Sequence, residues 1–113
     1  MTADELAALL ERGEIALLDV RTRAEYAGET GYPCDPRQGH VPGAVNVELD
    51  ELYGAGADVR GLLEERSVDP GMRIVAYCHS GSRSEIAAAL LRSAGLDATN
   101  YEGSWHEWSR REP

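Results

Sequence analysis

Short apolar runs alternate with helical periodicities along this 113-residue chain. Ile15 to Leu18 is a continuous apolar run, short and bounded, as a strand buried on both faces requires. Arg73 to Tyr77 reads the same way, and Val45–Val47 and Ala98–Tyr101 predict two shorter strands. Helical patterns fill the gaps. Thr2 and Glu5 have the spacing of a capping box for a helix to about Arg12, with Leu6, Leu9 and Leu10 inward and Gly13 as its stop. Thr22 and Glu25 repeat the capping box before a short helix through Tyr26. Glu48–Leu52 predicts a single helical turn, and Val59–Arg66 a helix that buries Leu62 and Leu63. Ser82 and Glu85 form a third capping-box pair, opening a helix with Ile86, Ala87, Leu90, Leu91 and Ala94 on its core face. Arg92 suits its negative end, and Gly95 a left-handed stop. The Gly/Pro-rich residues 28–39 read as a surface loop, and Pro70-Gly71 as a turn. The expected fold is α/β, one domain over residues 1–113, with a mainly parallel sheet covered by helices. Ligands of such sheets bind beyond the carboxyl ends of the strands, where both Asp19 and Cys78 fall.

The formal charge of −9 argues against nucleic acid or an anionic membrane as a partner. All 11 basic residues are arginines, which reads as a coding bias. There is no apolar run long enough to span a membrane and no basic-then-apolar leader, so the expected location is the cytoplasm. The two cysteines, Cys34 and Cys78, are too few for a disulfide framework or a structural zinc site, and they form no C-x-x-C; neither metal nor organic cofactor is expected. Against this acidic field a small anion needs local donors, because screening confines charge effects to about 10 Å. The candidates are His79, Arg83, Arg21, Arg23 and the backbone amides after Cys78.

The chemistry concentrates in Ile74-Val75-Ala76-Tyr77-Cys78-His79-Ser80-Gly81-Ser82-Arg83-Ser84-Glu85. A buried strand ends in a cysteine, a small-residue loop follows, and a helix begins. Amides of that loop can face the sulfur, and the positive helix end adds to them, so the thiol should ionise readily into its nucleophilic form. The competing reading is an inert buried cysteine.

The segment Cys78-His79-Ser80-Gly81-Ser82-Arg83 resembles the active-site loop of rhodanese domains, typically C-R-x-G-x-R. Leu17–Arg21, Glu25-Tyr26, Gly39–Asn46 and Tyr101–Trp105 resemble further signatures of that family, in the same order, over about residues 15 to 109. The resemblance implies a three-layer sandwich and a sulfurtransferase. Cys78 would carry a persulfide, and His79, Ser80, Gly81, Ser82, Arg83 and Ser84 would bind the substrate sulfur. The implied donor is a small sulfur-bearing anion such as thiosulfate. The implied acceptor is cyanide, a thiol or a protein cysteine, the last within a sulfur relay.

Asp19 and Arg21 stand behind this loop: Asp19 either holds the Cys78 loop or orients an arginine, or it pairs with a nearby N–H as a strand-end residue. Arg83 either binds the anion or pairs with an acidic residue to fix the loop. His79 departs from the family arginine, and its side chain is expected at the pocket mouth as a cation, proton donor or polar rim. Glu25 departs too, since two-domain sulfurtransferases commonly carry a substrate-binding arginine near this place. His40 is expected to organise its loop through the backbone, with Gly39 and Gly43 in tight turns. Trp105 and Trp108 share one face of a C-terminal helix and pack inward. Cys34 is either an incidental loop residue or a resolving thiol for Cys78. The 28–39 loop resembles the C-terminal half of tandem sulfurtransferases, which implies descent from such a half or a partner supplying the other.

Two rivals remain. A phosphatase or arsenate reductase of similar fold needs C-x5-R to wrap a tetrahedral oxyanion, whereas four residues separate Cys78 from Arg83. A non-catalytic module for sulfur sensing or docking would form no persulfide.

Overall fold

The computed structural model describes residues 1–111. Four strands, β1 (Ile15–Asp19), β2 (Val45–Asn46), β3 (Arg73–Tyr77) and β4 (Ala98–Asn100), form a sheet in the order β2-β1-β3-β4. Every pairing is parallel, and β1 aligns with β3 from Ile15↔Arg73 to Asp19↔Tyr77. Asp19 and Tyr77 are therefore neighbours at one end of the sheet, one residue before Cys78 along β3.

Successive side chains of a strand point to opposite faces, and both faces here are covered. Leu18 and Val20 of the β1 segment and Ile74, Ala76 and Cys78 of the β3 segment face one layer. That layer comprises α3 (Leu49–Ala55), α4 (Val59–Glu65) and α5 (Ser82–Ser93). Ile15, Leu17, Val75 and Tyr77 face the other, built from α1 (Ala3–Glu11) and α6 (Ser104–Trp108) with Val41 and Ala44. This double burial explains why β1 and β3 read as unbroken apolar runs, and it makes the three-layer α/β sandwich expected from the sequence.

The local signals hold at α1 and α2 (Arg23–Tyr26), where both capping boxes form as read. Three expectations are corrected. Glu48 is itself an N-cap, so the single turn becomes a two-turn helix, α3. Ser82 does not cap α5; it is the first helical residue, and Gly81 takes the cap position with φ 99° and no side-chain cap bond. Ile86 is exposed rather than inward, and the buried stripe of α5 runs Ser84, Ala87, Ala88, Leu91. No described helix is long and apolar enough to cross a membrane.

Candidate active site

β3 delivers Cys78 to the carboxyl edge of the sheet, where its side chain is 1% exposed. The chain then turns through His79–Gly81 into α5. The Gly81 N–H donates to Cys78 Sγ at 3.2 Å, and the Ser84 hydroxyl donates at 3.4 Å. Burial pushes the thiol up. The Ser84 hydroxyl, together with the amides of Ser84, Gly81 and Ser80, outweighs it and holds the group below the ordinary cysteine value. Hydrogen bonds to the charged form account for this direction, and the positive end of α5 acts in the same sense.

Gly81 is required twice over. Its φ of 99° is a left-handed conformation, and a Cβ there would meet the Glu102 carbonyl oxygen at 2.7 Å. The segment after β4 clamps the loop from outside. The Cys78 N–H donates to Ser104 Oγ at 3.1 Å, Trp105 N–H donates to the Cys78 carbonyl at 2.9 Å, and Asn100 Nδ2 donates to the Gly81 carbonyl at 3.1 Å. Ser104 holds φ 53°, an uncommon value for a residue with a side chain. Sequence reasoning missed Ser104 and Asn100. Gly103-Ser104-Trp105 was visible as a signature, but nothing local ties it to Cys78.

The cationic candidates are largely committed elsewhere. Arg83 donates to both oxygens of Glu25, at 2.8 and 3.1 Å. Burial raises the Glu25 carboxyl, but Arg83 and the Thr22 cap bring it down to about 2. Of the two readings of Arg83, pairing with an acid is the one its geometry matches. Arg21 is buried inside the molecule. It donates to both Asp19 oxygens and to the Gly39 carbonyl, and its guanidinium lies 5.3 Å from the Trp105 ring centre. Asp19 orients this arginine, caps the Arg21 N–H at 3.0 Å, and accepts the Tyr77 hydroxyl at 2.7 Å. It thus combines two of its proposed roles and, among the described residues, makes no hydrogen bond to the Cys78 loop.

His79 is turned against the 28–39 loop. Its ring stacks on Tyr32 at 3.7 Å, and its Nε2 lies 3.0 Å from Asp35 Oδ2. Ser80 and Ser82 have exposed side chains at the loop surface. Arg23 lines a separate groove of about 540 Å³ with Tyr26, Asn46, Glu48, Glu51 and Arg66. His40 organises its loop as read, with Nδ1 2.8 Å from the Tyr26 carbonyl oxygen. Trp105 and Trp108 are both buried. Both cysteines are free, Cys34 exposed and Cys78 buried.

A sulfur atom ringed by N–H and O–H donors is an environment for a thiolate, and the comparisons with known proteins point the same way. The chain is 36% identical over 104 residues to the putative thiosulfate sulfurtransferase SseB of Mycobacterium tuberculosis; the match covers 86% of this chain and 36% of that protein. The chain therefore spans about a third of the length of that curated relative. A crystal structure of a probable thiosulfate sulfurtransferase superposes with a TM-score of 0.78 at 44% identity, covering 97% of this chain and 44% of the other. The human single-domain sulfurtransferase TSTD1 gives a TM-score of 0.78 at 31% identity, over 100% of this chain and 96% of TSTD1. The profile described as Rhodanese-like domain matches residues 2–111, and with this fold and loop the chain belongs to the rhodanese-like domain family.

Proposed function

We propose that this chain is a single rhodanese-type domain that transfers sulfane sulfur through a persulfide on Cys78. One observation carries the reading: the Gly81 amide and the Ser84 hydroxyl both donate to Cys78 Sγ from the first turn of α5 and the loop before it. The names of the relatives, thiosulfate sulfurtransferase and single-domain sulfurtransferase, support the same activity.

In the first half-reaction the Cys78 thiolate attacks the outer sulfur of a donor such as thiosulfate. A new S–S bond forms, the donor's own S–S bond breaks, and sulfite leaves with the electron pair. In the second half an acceptor attacks that outer sulfur; cyanide becomes thiocyanate and the thiolate returns. Loop amides and the positive end of α5 stabilise charge on the sulfur in both halves. His79, Ser80, Gly81, Ser82, Arg83 and Ser84 form the cradle in this reading. Arg83 shapes it through Glu25, and Asp19 and Arg21 support it from the sheet edge. A protein cysteine is an equally suitable acceptor, as in a sulfur relay, and the cytoplasm, where thiols stay reduced, suits a free Cys78.

The test is thiocyanate formation from thiosulfate and cyanide, with Cys78→Ser alongside, and mass spectrometry of the chain after donor treatment. The expected result is turnover and a one-sulfur adduct, both absent in the variant. An intact chain that forms no adduct with thiosulfate, mercaptopyruvate or a low-molecular-weight persulfide is a docking or sensing module instead.

A further inference from the structure

We propose that Cys34, Asp35, His79 and His106 form a binding site for a zinc-type transition-metal dication, which ties the 28–39 loop to the loop that carries Cys78. This goes beyond sulfur transfer and does not depend on it. The cysteine count alone predicts no metal, but this donor set is mixed and is assembled by the fold. Cys34 and Asp35 come from the 28–39 loop, His79 directly follows Cys78, and His106 lies in α6. One ligand atom from each residue lies within 4.8 Å of all the others.

The spacing approaches that of a tetrahedral ion. His79 Nε2 is 3.0 Å from Asp35 Oδ2, His106 Nδ1 is 3.3 Å from Asp35 Oδ1, and Cys34 Sγ is 3.9 Å from Asp35 Oδ1. Zinc bonds of about 2.0 Å to nitrogen and oxygen and 2.3 Å to sulfur place the ligand atoms of a one-sulfur set roughly 3.3–3.5 Å apart, so donors that lie within 4.8 Å of one another contract onto the ion. A second observation is independent of spacing. The Asp35 side chain is fully buried, and among the described residues neither its Oδ2 nor the buried His79 Nε2 3.0 Å away is aligned for a hydrogen bond. Two ligand atoms that converge at ion-pair distance without hydrogen-bond alignment match a shared ion, since ligand lone pairs point at the metal.

Charge and chemistry select the class of ion. One thiolate and one carboxylate neutralise a dication, and the two imidazoles add none. Sulfur and nitrogen ligands favour zinc over magnesium or calcium. The ligands are also held in advance: Tyr32 stacks on the His79 ring, and the His106 N–H donates to the His79 carbonyl at 2.9 Å. A competing cation stands nearby. Arg110 Nη1 lies 3.0 Å from Asp35 Oδ1 and 3.2 Å from His106 Nδ1, and Nη2 donates to the Cys34 carbonyl at 2.8 Å. Its side chain is 39% exposed, so it can withdraw into solvent when an ion enters. Metal and Arg110 are alternative partners of one buried carboxylate.

The test uses Co²⁺ with the full chain carrying Cys78→Ser, so the nucleophile cannot hold the ion. The expected result is one Co²⁺ per chain, with tetrahedral visible bands and a thiolate-to-cobalt band in the near ultraviolet, both removed by adding Zn²⁺. Cys34→Ser abolishes the near-ultraviolet band, and His106→Ala weakens binding by at least about tenfold. Arg110→Ala binds Co²⁺ more tightly than its parent, because the competing cation is gone. The proposal is overturned by the absence of stoichiometric binding, by binding that survives Cys34→Ser and His106→Ala unchanged, or by weaker binding in Arg110→Ala. Binding is read without turnover, so failure here leaves the sulfur-transfer reading intact.

Discussion

Arg83 holds Glu25 by both carboxylate oxygens, joining the first turn of α5 to the first turn of α2 across 58 residues of sequence. The Glu25 carboxyl falls from an ordinary value of 4.5 to about 2. A folded-state value below the unfolded one means that ionised Glu25 stabilises the fold above about pH 4.5 and loses that contribution as the pH falls towards 2. With Arg83 partly open to solvent, we expect about 1–2 kcal/mol from the pair at neutral pH. Urea unfolding should show Glu25→Gln less stable than the parent by that amount at pH 7, and by less than half of it at pH 3. An equal difference at both pH values would refute the assignment.

The Ser84 hydroxyl supports the Cys78 thiolate directly, at 3.4 Å. Ser84→Ala removes one donor and leaves the amides in place. Alkylation of Cys78 by iodoacetamide at pH 7 should slow severalfold, because less of the thiol is ionised. The comparison is best made in the Cys34→Ser background, so that one thiol reports. If the alkylation rate is unchanged, the amides alone set the reactivity of the sulfur.

Much of this site was legible in the sequence because its determinants are local. The strand-cysteine-loop-helix order and the Thr2/Glu5 and Thr22/Glu25 capping boxes all depend on residues a few positions apart. The two misreadings at α5 share one physical cause. The loop before α5 directs its amides at Cys78, so Ser82 has no capping role and Gly81 takes that position. The buried stripe of α5 likewise starts at polar Ser84, whose hydroxyl serves the sulfur, which displaced the apparent apolar face towards Ile86. The Arg83–Glu25 pair and the Asp35–His79–His106 cluster join residues dozens of positions apart, and no periodicity announces such contacts.

Gly81 gives the sharpest steric test. Alanine there combines a left-handed φ of 99° with a Cβ 2.7 Å from the Glu102 carbonyl oxygen. The strain should reduce stability by about 1–3 kcal/mol. Relief requires the loop to move, which withdraws the amide from Cys78 Sγ. Loss of one such donor corresponds to a rate reduction of about 100-fold or more. Thiocyanate formation per folded molecule, measured well below the unfolding temperature, should therefore fall even where circular dichroism shows a folded chain. Full activity in folded Gly81→Ala would show that this amide does not serve the reaction.

The network under the site separates stability from chemistry. The Tyr77 hydroxyl donates to Asp19 Oδ2 at 2.7 Å and accepts the Val41 N–H at 3.0 Å. Burial is the main reason that this phenol titrates well above its ordinary range, with the Asp19 charge adding to it, so it remains a donor at any working pH. Tyr77→Phe strands one buried N–H and removes one partner of a buried carboxylate, a loss of about 1–3 kcal/mol. Arg21 keeps Asp19 paired in that variant, and the Cys78 amide contacts lie on the other face of β3. Thermal unfolding should therefore occur several degrees lower, while thiocyanate formation at low temperature stays within about twofold of the parent, a margin of under 0.5 kcal/mol. A large loss of turnover at unchanged stability would instead make the Asp19–Tyr77 contact part of what positions Cys78.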